Sequence, residues 1–314
     1  MKEKLLKIYA FLKRIIFNLT GRLKPRITLR WILVTLLWLI LFAYIGLGVF
    51  EGIQIYKKHT NDTTTKFLTN IYPFPAAFVN GNIIWVKDYY KHLAYITTYY
   101  KNTNTSYSEE EVRKKVMDRL IEARIIGWEA SKYGLRVSSK DVDDTYQKII
   151  SEKSPEEVQK VIKGLFNLSV KEFKSLIAEV VLEEKVQNEL IAQVKVSHIL
   201  VKDEGRANEV ANKLKSGEPF DQLAKTYSED IKTRDSAGDL GWIARGNLKI
   251  DGKLVPEFEE AAFNAKVDEI FGPVKTQVGW QVGKVFEKKG KIQKSYMDWL
   301  KEIKEKAKVF VFIK

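Results

Sequence analysis

Three fragments that follow one another between residues 195 and 285 decide the fold of this chain. Residues 196–200 are Val-Ser-His-Ile-Leu. Residues 227–230 are Tyr-Ser-Glu-Asp, and they run into Gly-Asp-Leu-Gly-Trp at 238–242. Residues 273–280 are Pro-Val-Lys-Thr-Gln-Val-Gly-Trp. Each fragment contains β-branched or aromatic residues, which favour strands.

The residues between and around these fragments predict the secondary structure of a small α+β domain. Alternating apolar positions predict strands at 194–201, 239–243, 272–275 and 280–286. Helical spacing predicts helices at 205–215, 220–227 and 256–264. The predicted order is therefore a strand, two helices, a strand, a helix and two strands.

Taken together, the fragments resemble the parvulin family of peptidyl-prolyl isomerases. The resemblance implies a four-stranded antiparallel sheet with helices around it. It also implies that the domain isomerises X-Pro peptide bonds. Rotation about a peptide bond breaks no covalent bond and meets a barrier of about 18–20 kcal/mol. We therefore expect apolar contacts to proline and a fixed polar network, with no cofactor, nucleophile or metal.

The resemblance also places the site residues on this sequence. For the polar network it implies His198, Asp230 and Thr276, with Gln281 at the remaining position. For the proline pocket it implies Leu240 and Phe258, with either Leu254 or Leu248 as the third residue. The choice between the two leucines stays open because the link at 247–254 is longer than is usual in the family.

Gln281 departs from the family pattern, which has a second histidine after the Gly-aromatic pair of the last strand. Glutamine both donates and accepts hydrogen bonds, so a network is able to form through it. It lacks the two tautomers of imidazole. Two functions therefore remain open: an active isomerase, and a non-catalytic chaperone that uses the same fold to bind unfolded polypeptide.

The stretch before this domain is predicted to be helical over residues 82–192. Ser108, Ser138, Ser154 and Ser169 each precede acidic residues in N-cap patterns. The helix that begins after Ser154 is predicted to stop at Gly164. A short strand at 77–79 and a turn at Asn80-Gly81 precede the helices. The order resembles the N-terminal region of SurA-type and PrsA-type foldases, which implies binding of unfolded polypeptide.

The N-terminal segment combines positive charge with a long apolar run. Residues 1–30 carry +8 of the net charge of +13, and residues 31–50 contain no charged side chain. Twenty residues at about 1.5 Å each span a hydrocarbon core of about 30 Å. The alternative is a cleaved signal peptide, whose apolar core is usually shorter, about 7–15 residues. Residues 1–19 have the pattern of an amphipathic helix at a membrane surface, with a disordered basic tail as the alternative.

Charge and composition exclude several other classes of protein. The basic residues precede an apolar run instead of lying on a folded domain among aromatics, which argues against a nucleic-acid partner. The chain has no cysteine, so disulfides and thiolate chemistry are excluded. The three histidines have no ligand spacing, which argues against a zinc site.

The sequence thus predicts a single-pass membrane protein with a cytoplasmic N-terminus and extracytoplasmic domains. Its partners are expected to be membrane lipid, through residues 31–50, and newly exported, proline-containing polypeptides. The predicted parts are a basic cytoplasmic segment (1–30), a transmembrane helix (31–50), a stalk (51–80), a helical chaperone-like domain (81–192), a parvulin-like isomerase domain (193–290), and a C-terminal helix and tail that pack on the helical domain (291–314).

Overall fold

A computed structural model describes Arg14 and residues 29–58, 62–151, 154–246 and 248–313. The predicted surface helix at 1–19 lies outside the described residues except for Arg14. The α-helices are α1 Leu29–Lys58, α2 Thr63–Leu68, α3 Val86–Asn102, α4 Glu109–Lys132, α5 Ser139–Ile150, α6 Pro155–Phe166, α7 Val170–Lys185, α8 Glu204–Lys215, α9 Phe220–Tyr227, α10 Pro256–Asn264 and α11 Tyr296–Lys306. The strands are β1 Pro75–Val79, β2 Asn82–Trp85, β3 Gln193–Val201, β4 Asp239–Ala244, β5 Lys249–Ile250, β6 Lys253–Leu254, β7 Ile270–Thr276, β8 Gly279–Lys289 and β9 Val309–Val311.

The predicted α+β fold is confirmed by a four-stranded sheet in the order β4-β3-β8-β7. Every neighbouring pair in this sheet is antiparallel. The central strand β3 is buried along almost its whole length, which explains why it is rich in β-branched and apolar residues. The helices α9 and α10 have the bounds that the sequence predicts, 220–227 and 256–264.

The two faces of the sheet are covered by different helices. On one face, Val196 and Leu200 pack in a core with Phe258 of α10. On the other, Ile199 packs in a core with Val210 of α8 and apolar residues of α9. Because side chains alternate along a strand, His198 points to the same face as Val196 and Leu200. The site residue therefore faces α10.

The long link between β4 and α10 contains a small β-hairpin that the sequence analysis did not predict. In it, Lys249 pairs with Leu254 and Ile250 with Lys253. The turn residues Asp251 and Gly252 have φ angles of 50° and 76°. Positive φ at both turn residues is what a two-residue hairpin loop requires, and Asp-Gly is one of the pairs that favour it.

The predicted N-caps are present in the helical region. The side chains of Ser108, Ser138, Ser154 and Ser169 each accept a hydrogen bond from the backbone N–H three residues later. At the last three serines, the acidic side chain at that position accepts a hydrogen bond from the serine N–H, which completes a capping box.

Two predictions for this region are wrong. Residues 82–85 are a strand, because the turn at Asn80-Gly81 folds them back onto β1. The helix α6 does not stop at Gly164. It continues to Phe166 and ends at Asn167, which has the left-handed conformation with φ 56°. Asparagine tolerates this conformation better than most residues and ends helices as glycine does.

The strands β1, β2 and β9 form a three-stranded sheet in the order β2-β1-β9. Near the end of the chain, Asn80 N–H donates to Lys308 O at 2.9 Å, and Lys308 N–H donates to Asn80 Oδ1 at 2.8 Å. The helix α11 packs along α4, where Lys304 and Glu122 form an ion pair of 2.7 Å.

The described chain divides into two compact units. One comprises Met1–Ala76, Trp85–Tyr90 and Val311–Lys314, and the other comprises Ala77–Ile84 and Lys91–Phe310. The first unit contains α1, which continues eight residues past the predicted end of the apolar run at 50. Within the predicted stalk, α2 is a short helix capped by Asp62. Residues 51–80 are therefore largely ordered.

Among the described residues, α1 is the one helix long and apolar enough to cross a membrane. Its candidate span is Leu33–Lys58, with a mean hydropathy of 2.4. Length and composition alone do not distinguish such a span from a signal sequence.

Candidate active site

The candidate site is a hydrogen-bonded network beneath one face of the four-stranded sheet. His198 and Gln281 are completely buried, and Asp230 and Thr276 are 4% and 8% exposed. His198 lies in the middle of β3, and Gln281 lies on the adjacent strand β8, two positions from the residue opposite His198. Thr276 ends β7, and Asp230 lies in the loop after α9. The structure thus brings together all four predicted network residues.

The hydrogen bonds of the network are donated in one direction, from His198 through Gln281 and Thr276 to Gly279 O. The Thr276 hydroxyl donates to Gly279 O at 2.9 Å. The Gln281 amide nitrogen donates to Thr276 Oγ1 at 3.0 Å, which leaves Gln281 Oε1 facing His198 Nδ1 at 2.8 Å. Because an amide oxygen only accepts, Nδ1 of His198 carries the proton of this bond. Gln281 therefore selects one tautomer of the histidine.

The other ring nitrogen of His198 faces two oxygen atoms. Nε2 lies 2.9 Å from Asp230 Oδ2 and 3.0 Å from Thr233 Oγ1. The neutral ring accepts from the Thr233 hydroxyl at Nε2. The protonated ring donates from Nε2 to the Asp230 carboxylate, and Thr233 then donates to Asp230 Oδ2, 2.7 Å away. Only the second arrangement gives Asp230 Oδ2 hydrogen bonds, because in the first the lone pair of Nε2 faces this oxygen at 2.9 Å.

Asp230 is held as a carboxylate by its hydrogen bonds. Burial raises the pKa of this carboxyl, but bonds from Thr233, His198 and the Lys232 N–H outweigh burial and leave the pKa below its usual value. The Lys232 N–H donates to Asp230 Oδ1 at 3.1 Å. Both carboxylate oxygens are thus hydrogen-bonded, as a buried charge requires.

Thr233 and Ser228 belong to the site although the sequence analysis gave them no role. The Ser228 hydroxyl accepts from Leu200 N–H at 3.3 Å and from Asp230 N–H at 3.4 Å, which ties the Asp230 loop to β3. Thr233 follows Asp230 by three residues, and its N–H donates to Asp230 O. The Asp-x-x-Thr spacing in a turn is the sequence signal that points to Thr233.

A glycine brings β4 against the histidine. His198 N–H donates to Gly238 O at 2.9 Å. Gly238 has a φ of 69°, and a Cβ there would lie 2.0 Å from His198 O. Only glycine fits both the left-handed backbone and this contact. Leu240 consequently lies next to the histidine strand.

The predicted pocket residues differ in exposure. Phe258 is completely buried, and its ring lies edge-on to His198 with a centroid distance of 5.9 Å. Leu240 is partly buried against the core that contains Phe258. Leu248 is 8% exposed within the same core, whereas Leu254 is 47% exposed. Of the two leucines left open by the sequence, only Leu254 presents a surface to a ligand.

The hairpin at 249–254 contacts both loops that hold the network. Lys232 Nζ lies 3.5 Å from Asp251 Oδ1, and the Gln277 side chain donates to Leu254 O. Lys232 neighbours Asp230 and Thr233, and Gln277 neighbours Thr276. No group of three or more histidine and carboxylate side chains suited to a metal ion occurs in the part of the chain that the structure describes.

Both halves of the chain match known protein families. The PPIC-type PPIase domain family matches residues 181–289, and the SurA-like N-terminal domain family matches residues 26–187. Foldase protein PrsA of Geobacillus kaustophilus (strain HTA426) is 34% identical over 206 residues, which cover 62% of this chain and 69% of the relative.

Two further similarities are shorter or weaker. The parvulin-like PPIase of Rickettsia typhi (strain ATCC VR-144 / Wilmington) is 48% identical over 97 residues, or 31% of this chain and 33% of that protein. A crystal structure of peptidylprolyl isomerase (PrsA) from Bacillus anthracis shares 30% identity and covers 60% of this chain and 86% of that chain, with a TM-score of 0.31.

Proposed function

Because this chain belongs to the family of PrsA-type foldases, with a SurA-like N-terminal domain and a PPIC-type peptidyl-prolyl isomerase domain, we propose that it is a membrane-anchored foldase. In this proposal it isomerises X-Pro bonds of exported polypeptides outside the cytoplasm. The observation that carries the proposal is the continuous buried network of His198, Gln281, Thr276 and Asp230 next to Phe258.

The reaction requires no covalent step. Uncatalysed X-Pro exchange takes tens to hundreds of seconds, and every 1.36 kcal/mol of transition-state stabilisation accelerates it about tenfold. A site that binds the twisted amide better than either planar form supplies this energy. In our proposal Leu240 and Leu254 form the apolar wall for the proline ring, and Leu248 and Phe258 are core residues behind it.

The network residues act in this proposal as positioning groups. His198 has no exposed surface, so it touches no ligand in this conformation. It holds the Asp230 loop, β3 and β8 in one arrangement through bonds at both ring nitrogens. Asp230 and Thr276, which are 4% and 8% exposed, are the network residues that retain some surface, and in this proposal they face a substrate along with the pocket wall.

The helical domain supplies a second surface for a client chain in this proposal. A groove of about 410 Å³ runs along one face of α4. Leu120, Ala123 and Gly127 are among its lining residues on α4, and Leu182 of α7 lines it from the side. Exposed Arg124 and the carboxylate of Glu179 lie at the same groove. Apolar walls with a few polar groups are typical of ligand-binding pockets, and in this proposal the ligand is a stretch of unfolded polypeptide.

The membrane anchor in this proposal is α1. In the proposal the N-terminus is cytoplasmic and the rest of the chain is outside, which the basic residues before α1 favour. The module defined by residues 193–290 is then an insertion in the helical domain, which is completed by residues 291–314.

A proline-limited refolding assay tests the proposal. We expect the full chain in lipid nanodiscs to accelerate the slow refolding phase of a client with a non-native X-Pro bond. Asp230→Ala should lower this acceleration at least about tenfold, a loss of about 1.4 kcal/mol, while aggregation of the client is still suppressed. Full suppression of aggregation without any acceleration would show a non-catalytic chaperone instead.

A further inference from the structure

The segment after the apolar helix, residues 62–75, lies against the helix. The ring of Tyr72 stacks on Tyr44 with centroids 4.5 Å apart, and its hydroxyl donates to Tyr44 O at 2.9 Å. Farther along the helix, the Tyr56 hydroxyl donates to Pro75 O at 2.9 Å. Ring and hydroxyl contacts therefore fix the segment to the side of α1 at two levels.

A glycine in α1 makes room for this contact. A Cβ at Gly48 would lie 2.9 Å from Tyr72 Cε1, closer than real side chains approach. Gly46, two residues earlier, has no atom within 4 Å of its Cβ position. The two glycines of the apolar run thus differ in their surroundings, since only Gly48 lies against the ring of Tyr72.

The contact lies inside the apolar run. Tyr44 and Gly48 both belong to the uncharged residues 31–50, and Tyr44 precedes Phe50 by six residues. At 1.5 Å per residue, Tyr44 lies about 9 Å from the outer end of that run. Interfacial segments are typically buried about 5–10 Å into the boundary between headgroups and acyl chains. If α1 spans a bilayer, Tyr72 lies within that boundary.

The backbone of the segment is suited to this depth. The N–H groups of Thr69, Asn70, Ile71, Tyr72 and Phe74 each donate to a backbone carbonyl of residues 65–72. Pro73 and Pro75 have no N–H. Unpaired backbone groups are costly where water is scarce, so a segment without free N–H groups from 69 to 75 is able to enter the boundary.

The outer face of the segment is apolar at two positions. Phe67, near the end of α2, is 64% exposed, and Ile71, in the turn that follows α2, is 46% exposed. Lys57, Lys58 and Lys66 are exposed nearby in the chain. Aromatic residues and lysines next to an apolar face match the composition of a membrane–water interface.

We propose that residues 62–75 form a membrane-surface segment whose Phe67 and Ile71 side chains enter the outer leaflet of a phospholipid bilayer. This inference rests on the proposed anchoring through α1. It means that residues 62–75 are held at the membrane surface by an aromatic contact with α1.

Single cysteines test the proposal, because the chain has none of its own. Phe67→Cys, Ile71→Cys and the control Lys66→Cys are labelled with a fluorophore in the full chain. A label at Leu37→Cys reports on the span. The proteins are placed in phosphatidylcholine–phosphatidylglycerol vesicles. We expect doxyl-labelled lipid to quench the probes at 67, 71 and 37, and aqueous iodide to quench the probe at 66.

The outcomes separate this proposal from the anchor itself. Quenching of the 67 and 71 probes by iodide alone, with the 37 probe quenched by lipid, would overturn the surface segment and leave the anchor intact. Iodide quenching at all four positions would reject the membrane anchor, and the surface segment with it.

A matched pair of glycine variants tests the contact with Tyr72. Gly48→Leu fills the space that the ring occupies, so it should release the segment and raise iodide quenching of the 67 probe severalfold. Gly46→Leu adds the same side chain where no neighbour lies, and should leave quenching unchanged. Equal behaviour of the two variants would show that the Tyr72 contact does not hold the segment at the membrane.

Discussion

His198 has bonding partners at both ring nitrogens and no exposed surface. A buried group of this kind acts on a ligand through the residues that it positions. The direction of the bonds depends on Gln281, whose amide oxygen requires the proton to be on Nδ1. The glutamine that departs from the family pattern therefore fixes the histidine in a single orientation and a single tautomer.

Replacement of Gln281 tests this role. Gln281→Leu leaves the Nδ1–H of His198 without a buried acceptor, at about 1–3 kcal/mol for an unsatisfied group, while the Thr276 hydroxyl keeps its bond to Gly279 O. We expect it to reduce the acceleration of refolding at least about tenfold. Gln281→His restores a donor and an acceptor, and should maintain or raise activity. Nitrogen-15 NMR of the ring checks the tautomer, and an unprotonated Nδ1 in the wild-type protein would contradict the assignment.

The sequence predicted which residues form the network, but it did not predict the direction of the hydrogen bonds between them. Ordered motifs predicted that His198, Asp230, Thr276 and Gln281 are neighbours, and the structure places them within one network. Thr233 was missed because its part in the network depends on how the turn after Asp230 closes. The direction of a hydrogen bond depends on which atom carries the proton, and residue types alone do not determine that.

The hairpin at 249–254 determines which of the two candidate leucines is exposed. Leu248 and Ile250 alternate with Lys249, so the first two pack into the core and Lys249 points away from it. Leu254 pairs with Lys249 and shares its outward face. The hairpin therefore buries one candidate leucine and exposes the other.

A matched pair of alanine variants separates the two leucines. Leu248→Ala removes a buried side chain and should destabilise the domain by about 2–5 kcal/mol. Leu254→Ala changes an exposed side chain and should alter stability by about 0.5 kcal/mol or less. It should nevertheless lower kcat/KM for a proline peptide about tenfold, as expected for a lost apolar contact. Denaturation curves and peptide kinetics on both variants are the measurements, and unchanged kinetics for Leu254→Ala would remove it from the pocket.

Elements with a strong periodic or capping signal were predicted well, and short elements with a weak signal were not. The four serine caps fix helix starts within a few residues of sequence. The strands β5 and β6 have two residues each, too few for a periodic pattern. The Asp251-Gly252 pair was the signal that would have predicted their turn. The α2 helix stayed unpredicted because the threonine-rich stretch around it has weak helix propensity.

At the scale of the whole molecule, the isomerase module begins and ends at one place. Lys291 and Ile292 N–H both donate to Leu190 O, at 2.7 and 2.8 Å, and Ala192 N–H donates to Ile292 O at 2.9 Å. Ile191 and Ile292 form a parallel bridge. The chain therefore leaves the helical domain and returns to it between neighbouring backbones. This juxtaposition of distant residues supports an inserted module, and local sequence patterns do not reveal it.

Excision of the module tests this organisation. If residues 193–290 are an insertion, a flexible linker of about six Gly and Ser residues is long enough to join the neighbouring ends at 192 and 291. We expect the shortened, full-anchor chain to keep α3–α7 and α11 folded, because the Lys304–Glu122 ion pair and the Asn80–Lys308 bonds lie outside the excised part. It should suppress aggregation of a client in nanodiscs and no longer accelerate proline-limited refolding. Circular dichroism and the two client assays measure these outcomes.

Loss of helical signal and of aggregation suppression together would mean that the helical domain needs the module to fold, and that residues 193–290 are an integral part of it.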